Sequence, residues 1–483
     1  MMKRLASLVC LLGLASCSGS DPLSLFGAKA GVAKADDTVG KFFAGPALWD
    51  DPQNTPHPMF NWPTVSHPPV GDKLPPLWKP IPVRALPAPV SGLQHVAHAE
   101  EVVSGGGMAV FGSLAVVPGF GETSSVVDLS DPAKPKRIGT FNQNGGRSAP
   151  LTSNQGYGGA GHGVMEAAGA GADRGAAIIA YPSGRLVAVL STDSFIESLD
   201  ITDPRRPRRL PPLQTPNSHK VGVVPGTPIV YNAGSRGGGT GSGNIIGMDH
   251  TEIFDLSDPD DPQFVQDFQN GYSCHHIFFW NNVQQNKFRA VCAGIEVTQI
   301  WDTADPRDPK VLVTIPVHHG VAGTPSAGVI LVAFSHSAGL NRDGTVLYVG
   351  DENGGGSLPP GCVASVDTPA GSVSVPIGAV WFYDISTETM PLLQGWYSAA
   401  QNPSALGRSC TAHHGRLVPD PNRDLLAMAF YGDGVLLIDF SNPTLPKLID
   451  QFADNSNTWE AWYHNGYIIT GDLVRGLDVL TFQ

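Results

Sequence analysis

The chain has 483 residues, of which 41% are hydrophobic and only 15% are charged, while glycine (57) and proline (42) together make up about a fifth. This composition excludes coiled coils and long helical arrays, and the recurring apolar runs argue against a disordered chain. The formal net charge of −13 argues against nucleic acid or an anionic lipid surface as the partner.

The chain begins with a basic segment, Met1–Arg4, followed by the apolar run Leu5–Leu14, which is too short to span a bilayer. The next residues, Leu14–Cys17, place two small side chains between a hydrophobic residue and a cysteine. This order resembles the lipobox of bacterial lipoproteins. The resemblance implies that residues 1–16 are a signal peptide and that a lipid on Cys17 anchors the protein to a membrane.

The residue after the cysteine is Ser18 rather than Asp. In bacterial lipoproteins this implies an outer-membrane location, so we expect a cell-envelope protein that faces the periplasm or the cell surface. The alternative is an ordinary signal peptide that is cut near Cys17 without lipidation. No later apolar run is long enough to span a membrane.

Residues 17–92 are predicted to form a tether and a proline-rich arm. Thirteen prolines lie between Pro46 and Pro89. Because proline lacks the backbone donor that a central strand needs, this segment is interpreted as an extended arm rather than a domain.

One phrase recurs through the rest of the chain: an apolar strand that ends at Asp, followed in most copies by a Ser-Asp-Pro-like turn. The copies lie at Val126–Pro132, Ser198–Pro204, Ile253–Pro259, Ile300–Pro306, Phe382–Ser386, Leu437–Pro443 and Gly476–Val479. Asp and Pro favour a tight turn, and apolar runs on both sides of each copy predict four antiparallel strands per unit. Seven such units predict an all-β fold, a seven-bladed β-propeller over residues 93–483.

The phrase resembles the LVIVD repeat, and the resemblance covers about residues 95–483. It implies the propeller fold but says little about activity, because propellers host enzymes, receptors and scaffolds alike. The last unit has only three strands before Gln483. We expect the arm to supply the fourth, at about residues 77–83, since an outermost strand tolerates proline. The alternative is a last blade of three strands.

Histidine recurs where the first strand of a unit begins, and the last unit has a glutamate there. The residues are His162, His219, His275, His276, His336, His413, His414 and Glu460. The first strands of a propeller line its central channel, so these side chains are predicted to meet at the channel mouth. Imidazole nitrogens with one carboxylate oxygen suit Zn or Cu.

Two other interpretations of the histidines remain open. A His–Asp brace inside each blade would give the same periodicity without metal, and so would a metal-free substrate pocket. The pairs His275–His276 and His413–His414 favour the metal, since a brace needs only one ring. His250 and His464 are interpreted as surface and turn residues, and Asp351–Asn353 as ordinary turn chemistry.

Four cysteines remain beyond the signal segment and the lipid site, an even number that suits an oxidising compartment. Cys274 and Cys292 lie on facing strands of one hairpin and are predicted to form a disulfide. The second predicted disulfide is Cys362–Cys410. The competing interpretation is thiolate ligation of a metal, because Cys274 adjoins His275.

The sequence thus predicts a monomeric cell-envelope lipoprotein that binds Zn or Cu, for metal handling or small-molecule oxidation. The alternative is a metal-free surface scaffold for protein or glycan partners. The sequence leaves open whether the protein is an enzyme.

Overall fold

The structure is a computed structural model, and its described residues are 90–119, 123–141, 175–181, 183–234, 249–282, 286–295, 297–316, 334–352, 363–368, 371–376, 378–399, 411–420, 422–454, 456–464 and 466–483. All of them lie within one unit of the chain, Thr38–Gln483. The signal segment, Cys17 and most of the arm lie outside the described residues. Within these ranges, no helix is long and apolar enough to cross a membrane.

The described strands form seven antiparallel blades, which confirms the predicted β-propeller. The first strands in chain order are β1 (Leu93–His98), then in blade one β2 (Ala109–Phe111), β3 (Leu114–Val117), β4 (Ser124–Asp128) and β5 (Lys136–Phe141). Blade two has β6 (Gly175–Ala180), β7 (Leu186–Ser191), β8 (Asp193–Asp200), β9 (Arg208–Arg209) and β10 (Leu213–Ser218). Blade three has β11 (Lys220–Val223), β12 (Ile229–Ala233), β13 (Thr251–Asp255) and β14 (Gln263–Phe268).

The remaining blades repeat the same order. Blade four has β15 (His276–Asn282), β16 (Lys287–Ala293), β17 (Val297–Asp302) and β18 (Lys310–Pro316). Blade five has β19 (Ser335–Leu340), β20 (Val346–Asp351), a side hairpin of β21 (Val363–Thr368) and β22 (Gly371–Pro376), then β23 (Val380–Asp384) and β24 (Leu392–Tyr397). Blade six has β25 (Gly415–Pro419), β26 (Asp424–Ala429), β27 (Val435–Asp439) and β28 (Lys447–Phe452), and blade seven has β29 (Thr458–His464), β30 (Tyr467–Asp472) and β31 (Asp478–Phe482).

The repeated phrase marks the end of the third strand in blades one to six, whereas in blade seven its aspartate, Asp478, begins the third strand. In blade six, β27 is an apolar run whose residues are buried up to Asp439, and Oδ1 of Asp439 accepts a hydrogen bond from the backbone N–H of Ser441 (3.0 Å). The chain then turns into β28, which is only partly buried. The inner strands are therefore packed between neighbouring blades, whereas the fourth strand forms the outer rim.

Strand β1 closes the ring. It pairs antiparallel with β31, with Leu93 opposite Phe482, so blade seven has the order β1-β31-β30-β29. An N-terminal strand therefore completes the last blade as predicted, but it is Leu93–His98 rather than the expected segment at 77–83, which lies outside the described residues. Strand β1 contains no proline, so each of its residues keeps the backbone N–H that pairing with β31 can use.

Polar contacts fasten the closing strand. His95 Nε2 lies 2.8 Å and His98 Nδ1 lies 3.1 Å from Oδ1 of Asp478, the repeated aspartate of the last unit. Arg475 donates to the same carboxylate, at 2.6 Å from Oδ2. Burial raises the pKa of Asp478, but the hydrogen bonds from Arg475 and His95 outweigh it and hold that pKa below its ordinary value.

The first strand of blade two is β6, whose residues are almost all buried. The sequence interpretation placed this strand at His162, and that position was wrong because the apolar run Ala176–Ile179 forms it instead. His162 itself lies outside the described residues.

The predicted disulfide Cys274–Cys292 is present, with the two Cα atoms 5.5 Å apart. It joins the residue before His275 to strand β16. Because Cys274 is bonded to Cys292, its thiolate is not available as a metal ligand, and that alternative is wrong for this residue. Cys362 and Cys410 lie outside the described residues, so their pairing stays a prediction that non-reducing peptide mapping can check.

Candidate metal centre

Four histidine rings and one indole form a continuous arc at the end of the propeller where the first strands begin. Adjacent ring centroids along the arc lie 3.8 Å apart for His219–His275, 4.4 Å for His275–His336, 4.1 Å for His336–His413 and 4.0 Å for His413–Trp459. All five side chains are buried. Blades three to seven each contribute one ring, because each first strand starts at the same height beside the axis. Of the predicted set, His219, His275, His336 and His413 therefore lie together in a buried cluster, while His162 lies outside the described residues.

The next residue of each first strand forms a second layer. His414 lies 4.8 Å from His276 and 4.6 Å from His336, measured between ring centroids. Lys220 occupies the equivalent place in blade three, and its Nζ lies 3.4 Å from Oε2 of Glu460 in blade seven. Both rings of the blade-six pair thus contact other histidines. Neither ring is therefore confined to contacts within its own blade, as one ring of the pair would be in a brace.

In blades one to six the repeated aspartate ends the third strand, at the other end of the blade from the start of the first strand. In blade four, His276 is opposite Ala293 of β16, whereas Asp302 is opposite Arg289, four residues earlier on the same strand. At about 3.3 Å per residue, this separates them by about 13 Å along the sheet. The aspartate instead accepts a hydrogen bond from the backbone N–H of Ala304 (2.9 Å). The geometry therefore contradicts a brace between these histidines and the repeated aspartates.

Two groups of side chains in the described part of the chain have the spacing of metal ligands here. His336, His413 and His414 form one, and His275, His336 and Glu352 form the other; within each group the ligand atoms lie within 4.8 Å of one another. Glu352 follows β20 and is buried, with Oε2 3.1 Å from Nε2 of His336 and Oε1 3.7 Å from Nε2 of His413. Nitrogen donors with one carboxylate oxygen match Zn and Cu.

Glu352 is held by a residue from the next blade. The hydroxyl of Tyr431 donates to Oε1 of Glu352. Tyr431 has φ of 47°, a conformation uncommon outside glycine. Its backbone exchanges hydrogen bonds with Thr458 of the following blade, at 3.1 and 2.9 Å, and these hold it in place. A strained residue therefore aims its phenol at the candidate carboxylate ligand.

The electrostatics of the second layer keep its imidazoles neutral. Burial lowers the pKa of His276 and of His414 well below the ordinary histidine value, and the nearby positive charge of Lys220 lowers both further. Burial also lowers the pKa of Lys220 itself, to about 8. Neutral imidazole is the form that binds a metal, so His414 is in its ligand form at neutral pH.

Glu460, the carboxylate that the sequence suggested as a ligand, has other partners. Its Oε1 accepts from Nη2 of Arg416 (2.7 Å), and its Oε2 accepts from Lys220 and from the backbone N–H of Met108 (2.9 Å). The carboxylate that lies beside the histidines is Glu352, which the sequence interpretation assigned to a turn.

The fold and the cluster define the class of protein: a seven-bladed β-propeller with a buried histidine-rich centre. The chain matches no model of a known protein family and no curated protein sequence. The LVIVD resemblance therefore stays an expectation drawn from the repeated phrase, and the function rests on the geometry of the centre.

Proposed function

We propose that this protein is a lipoprotein of the bacterial cell envelope whose propeller binds a transition metal, Zn or Cu, for metal handling or small-molecule oxidation. The observation that carries the proposal is the convergence of His336, His413 and His414, whose ligand atoms lie within 4.8 Å of one another in a buried place.

The burial of so many imidazoles supports a ligand role. The described first strands are otherwise mainly apolar, as in β25 and β6, where valine, leucine, isoleucine and alanine fill the core. Six histidine rings that contact one another in this otherwise apolar core bring together the nitrogen donors that a Zn or Cu site needs.

Three imidazoles leave one position of a tetrahedral ion for water or a small molecule. A metal bound there would act as a Lewis acid or, for copper, as an electron carrier. Tyr431 and Glu352 can hold a proton beside that position, since the phenol already donates to the carboxylate. Trp459 packs on His413 and helps to exclude bulk water from this side of the cluster.

Elemental analysis tests the metal. The protein should be purified from a bacterial envelope without added metal or chelator, next to the double variant His336→Ala/His413→Ala. We expect stoichiometric Zn or Cu in the parent and none in the variant. His98→Ala is the matched control, because His98 is a partly exposed histidine that contacts Asp478 and lies outside the cluster. A folded parent without metal would contradict the proposal and favour the metal-free scaffold.

Membrane fractionation tests the anchor. We expect the parent to sediment with membranes and the Cys17→Ala variant to lose lipid modification, and mass spectrometry of the N-terminal peptide should show an acylated cysteine. An unmodified N-terminus near Cys17 would contradict the anchor and leave the metal proposal untouched.

A further inference from the structure

The donors around His336 outnumber those that one ion uses. His336 belongs to both candidate groups, which together offer five side chains, whereas a tetrahedral zinc or copper ion takes about four ligands. We propose that the cluster holds two metal ions, one bound by His336, His413 and His414, the other by His275, His336 and Glu352. The inference rests on the proposed function, because it presumes that the cluster binds metal.

His336 is placed to serve both ions. Its ring centroid lies 4.4 Å from that of His275, 4.1 Å from that of His413 and 4.6 Å from that of His414. The imidazole ring has two nitrogens that point in different directions, and each can be a ligand atom. One ring between two neighbouring groups can therefore contribute to both, with its N–H proton released to solvent when the second ion binds.

Glu352 reaches both groups as well. One carboxylate oxygen lies 3.1 Å from Nε2 of His336 and the other lies 3.7 Å from Nε2 of His413. A carboxylate has two oxygens, each of which can be a ligand atom, so Glu352 can link two neighbouring ions. Its negative charge reduces the repulsion between two cations, and the hydrogen bond from Tyr431 fixes its orientation.

Another imidazole lies next to the second group. The ring of His219 packs on that of His275, with 3.8 Å between the ring centroids. Phe334 packs edge-on against His275, at 5.0 Å between ring centroids, and it also packs against His336, at 5.8 Å, so it covers part of the second group. The arc from His219 to His413 is therefore long enough for two coordination spheres side by side.

Copper loading of the purified full-length protein tests the inference. Cu²⁺ is added in excess, unbound ion is removed by desalting, and copper per chain is compared with the spin count from electron paramagnetic resonance. We expect two copper ions per chain and a spin count well below the copper content, because two close Cu²⁺ ions couple magnetically. His275→Ala and His414→Ala should each keep one copper with its full signal, whereas the control His98→Ala should keep both.

The outcomes separate the inference from the proposed function. One copper per chain in the parent, unchanged in His275→Ala, overturns the second ion and leaves the first in place. No copper in the folded parent overturns both proposals. If either alanine variant fails to fold in a thermal melt, Glu352→Gln gives the same test, since it keeps the shape and loses the charge. It should bind one copper, and retention of two coupled coppers in that variant would overturn the role of Glu352 and with it the second group.

Discussion

Two buried cations and one carboxylate lie in the second layer of the centre. Lys220 and Arg416 both contact Glu460, and the guanidinium of Arg416 also stacks 4.4 Å from the ring centroid of Trp462. The trio carries a net positive charge in a place with little water, close to His414. A positive charge there opposes the binding of a metal cation, since Coulomb repulsion is stronger in the protein interior than in water.

Replacement of Lys220 should strengthen metal binding. We expect Lys220→Met to raise the affinity for Zn²⁺ by roughly tenfold, which corresponds to about 1.4 kcal/mol of relieved repulsion. Glu460 stays paired with Arg416 in this variant. Competition with a chelator gives the affinity, and Lys310→Met, a change at an exposed lysine, is the control. Equal or weaker binding by a folded Lys220→Met protein would contradict this electrostatic account.

His464 should make the fold sensitive to acid. It ends strand β29, not a turn as the sequence suggested, and burial lowers its pKa from 6.5 to about 4. Between these values the unfolded chain binds a proton that the folded chain does not. The free energy of unfolding therefore falls as the pH drops below 6.5, by about 3 kcal/mol at pH 4 from this group alone.

Urea denaturation at pH 7 and pH 4.5 checks this expectation. The His464→Gln variant should lose less stability on acidification than the parent, whatever its stability at pH 7. His250→Gln, at a partly exposed histidine, should lose as much as the parent. An equal loss in all three proteins would show that His464 does not titrate as described.

The histidines of the centre could be predicted from the sequence, but its carboxylate could not. The repeat aligns His336 and His413 at the same place in successive units, and this local signal needs no tertiary information. Glu352 follows a strand and resembles a turn residue, because its burial depends on Tyr431 from another blade. The one available signal was the pairing of the first two strands of a blade. The end of the second strand lies beside the start of the first, which places Glu352 near His336.

At the scale of elements, two truncations test the closing strand. Deletion of residues 18–89 leaves β1 and the backbone contacts of Ser91 and Gly92 with Gln483 in place, so we expect little change in stability. Deletion of residues 18–98 removes β1 and exposes the edge of β31. It should lower the free energy of unfolding by several kcal/mol, roughly the value of a half-buried strand.

Urea denaturation of the two truncated proteins decides the question. Stability equal to that of the parent in both proteins would mean that β1 contributes nothing. A large loss already in the shorter deletion, with no further loss in the longer one, would assign the stabilising contacts to the arm.

The repeated phrase predicted the blades because Asp and Pro impose a turn locally, as the hydrogen bond from Ser441 to Asp439 illustrates. No such turn motif marks the two strands that the sequence analysis misplaced, the closing strand and the first strand of blade two. Residues 77–83 and Leu93–His98 both follow an alternating pattern, and pairing with β31 depends on the geometry of the closed ring. The first strand of blade two follows a long insertion, so spacing from the phrase gave the wrong segment.

At the scale of the whole molecule, the same turns join neighbouring blades. The Pro204 turn of blade two packs on Gly139 in the outer strand of blade one, and the Pro443 turn of blade six packs on Gly395 in the outer strand of blade five. The hydroxyl of Tyr231 in blade three donates to the carbonyl of Pro306 in blade four (2.7 Å). In blades two, four and six the phrase thus ends its own strand and also contacts the preceding blade.

A side chain at this junction should weaken the ring. A Cβ on Gly139 would overlap the carbonyl oxygen of Pro204, which is backbone and cannot rotate away. We expect Gly139→Ala to cost about 1–3 kcal/mol, the usual range for overpacking. Gly271→Asn is the control, because Gly271 faces open space and asparagine tolerates its positive φ. Equal thermal stability of the two variants would contradict tight docking between blades.

The closing strand has a consequence for the biosynthesis of the protein. His95 on β1 and its partner Asp478 are 383 positions apart, so β1 leaves the ribosome long before the strand it pairs with exists. Blade seven therefore forms only after almost the whole propeller has been synthesised, and contacts of such long range make folding slow. A chain interrupted before β31 exposes unpaired edges on β1 and β30, which invite aggregation and proteolysis. Only a chain that is synthesised through β31 can therefore cover the edges of β1 and β30.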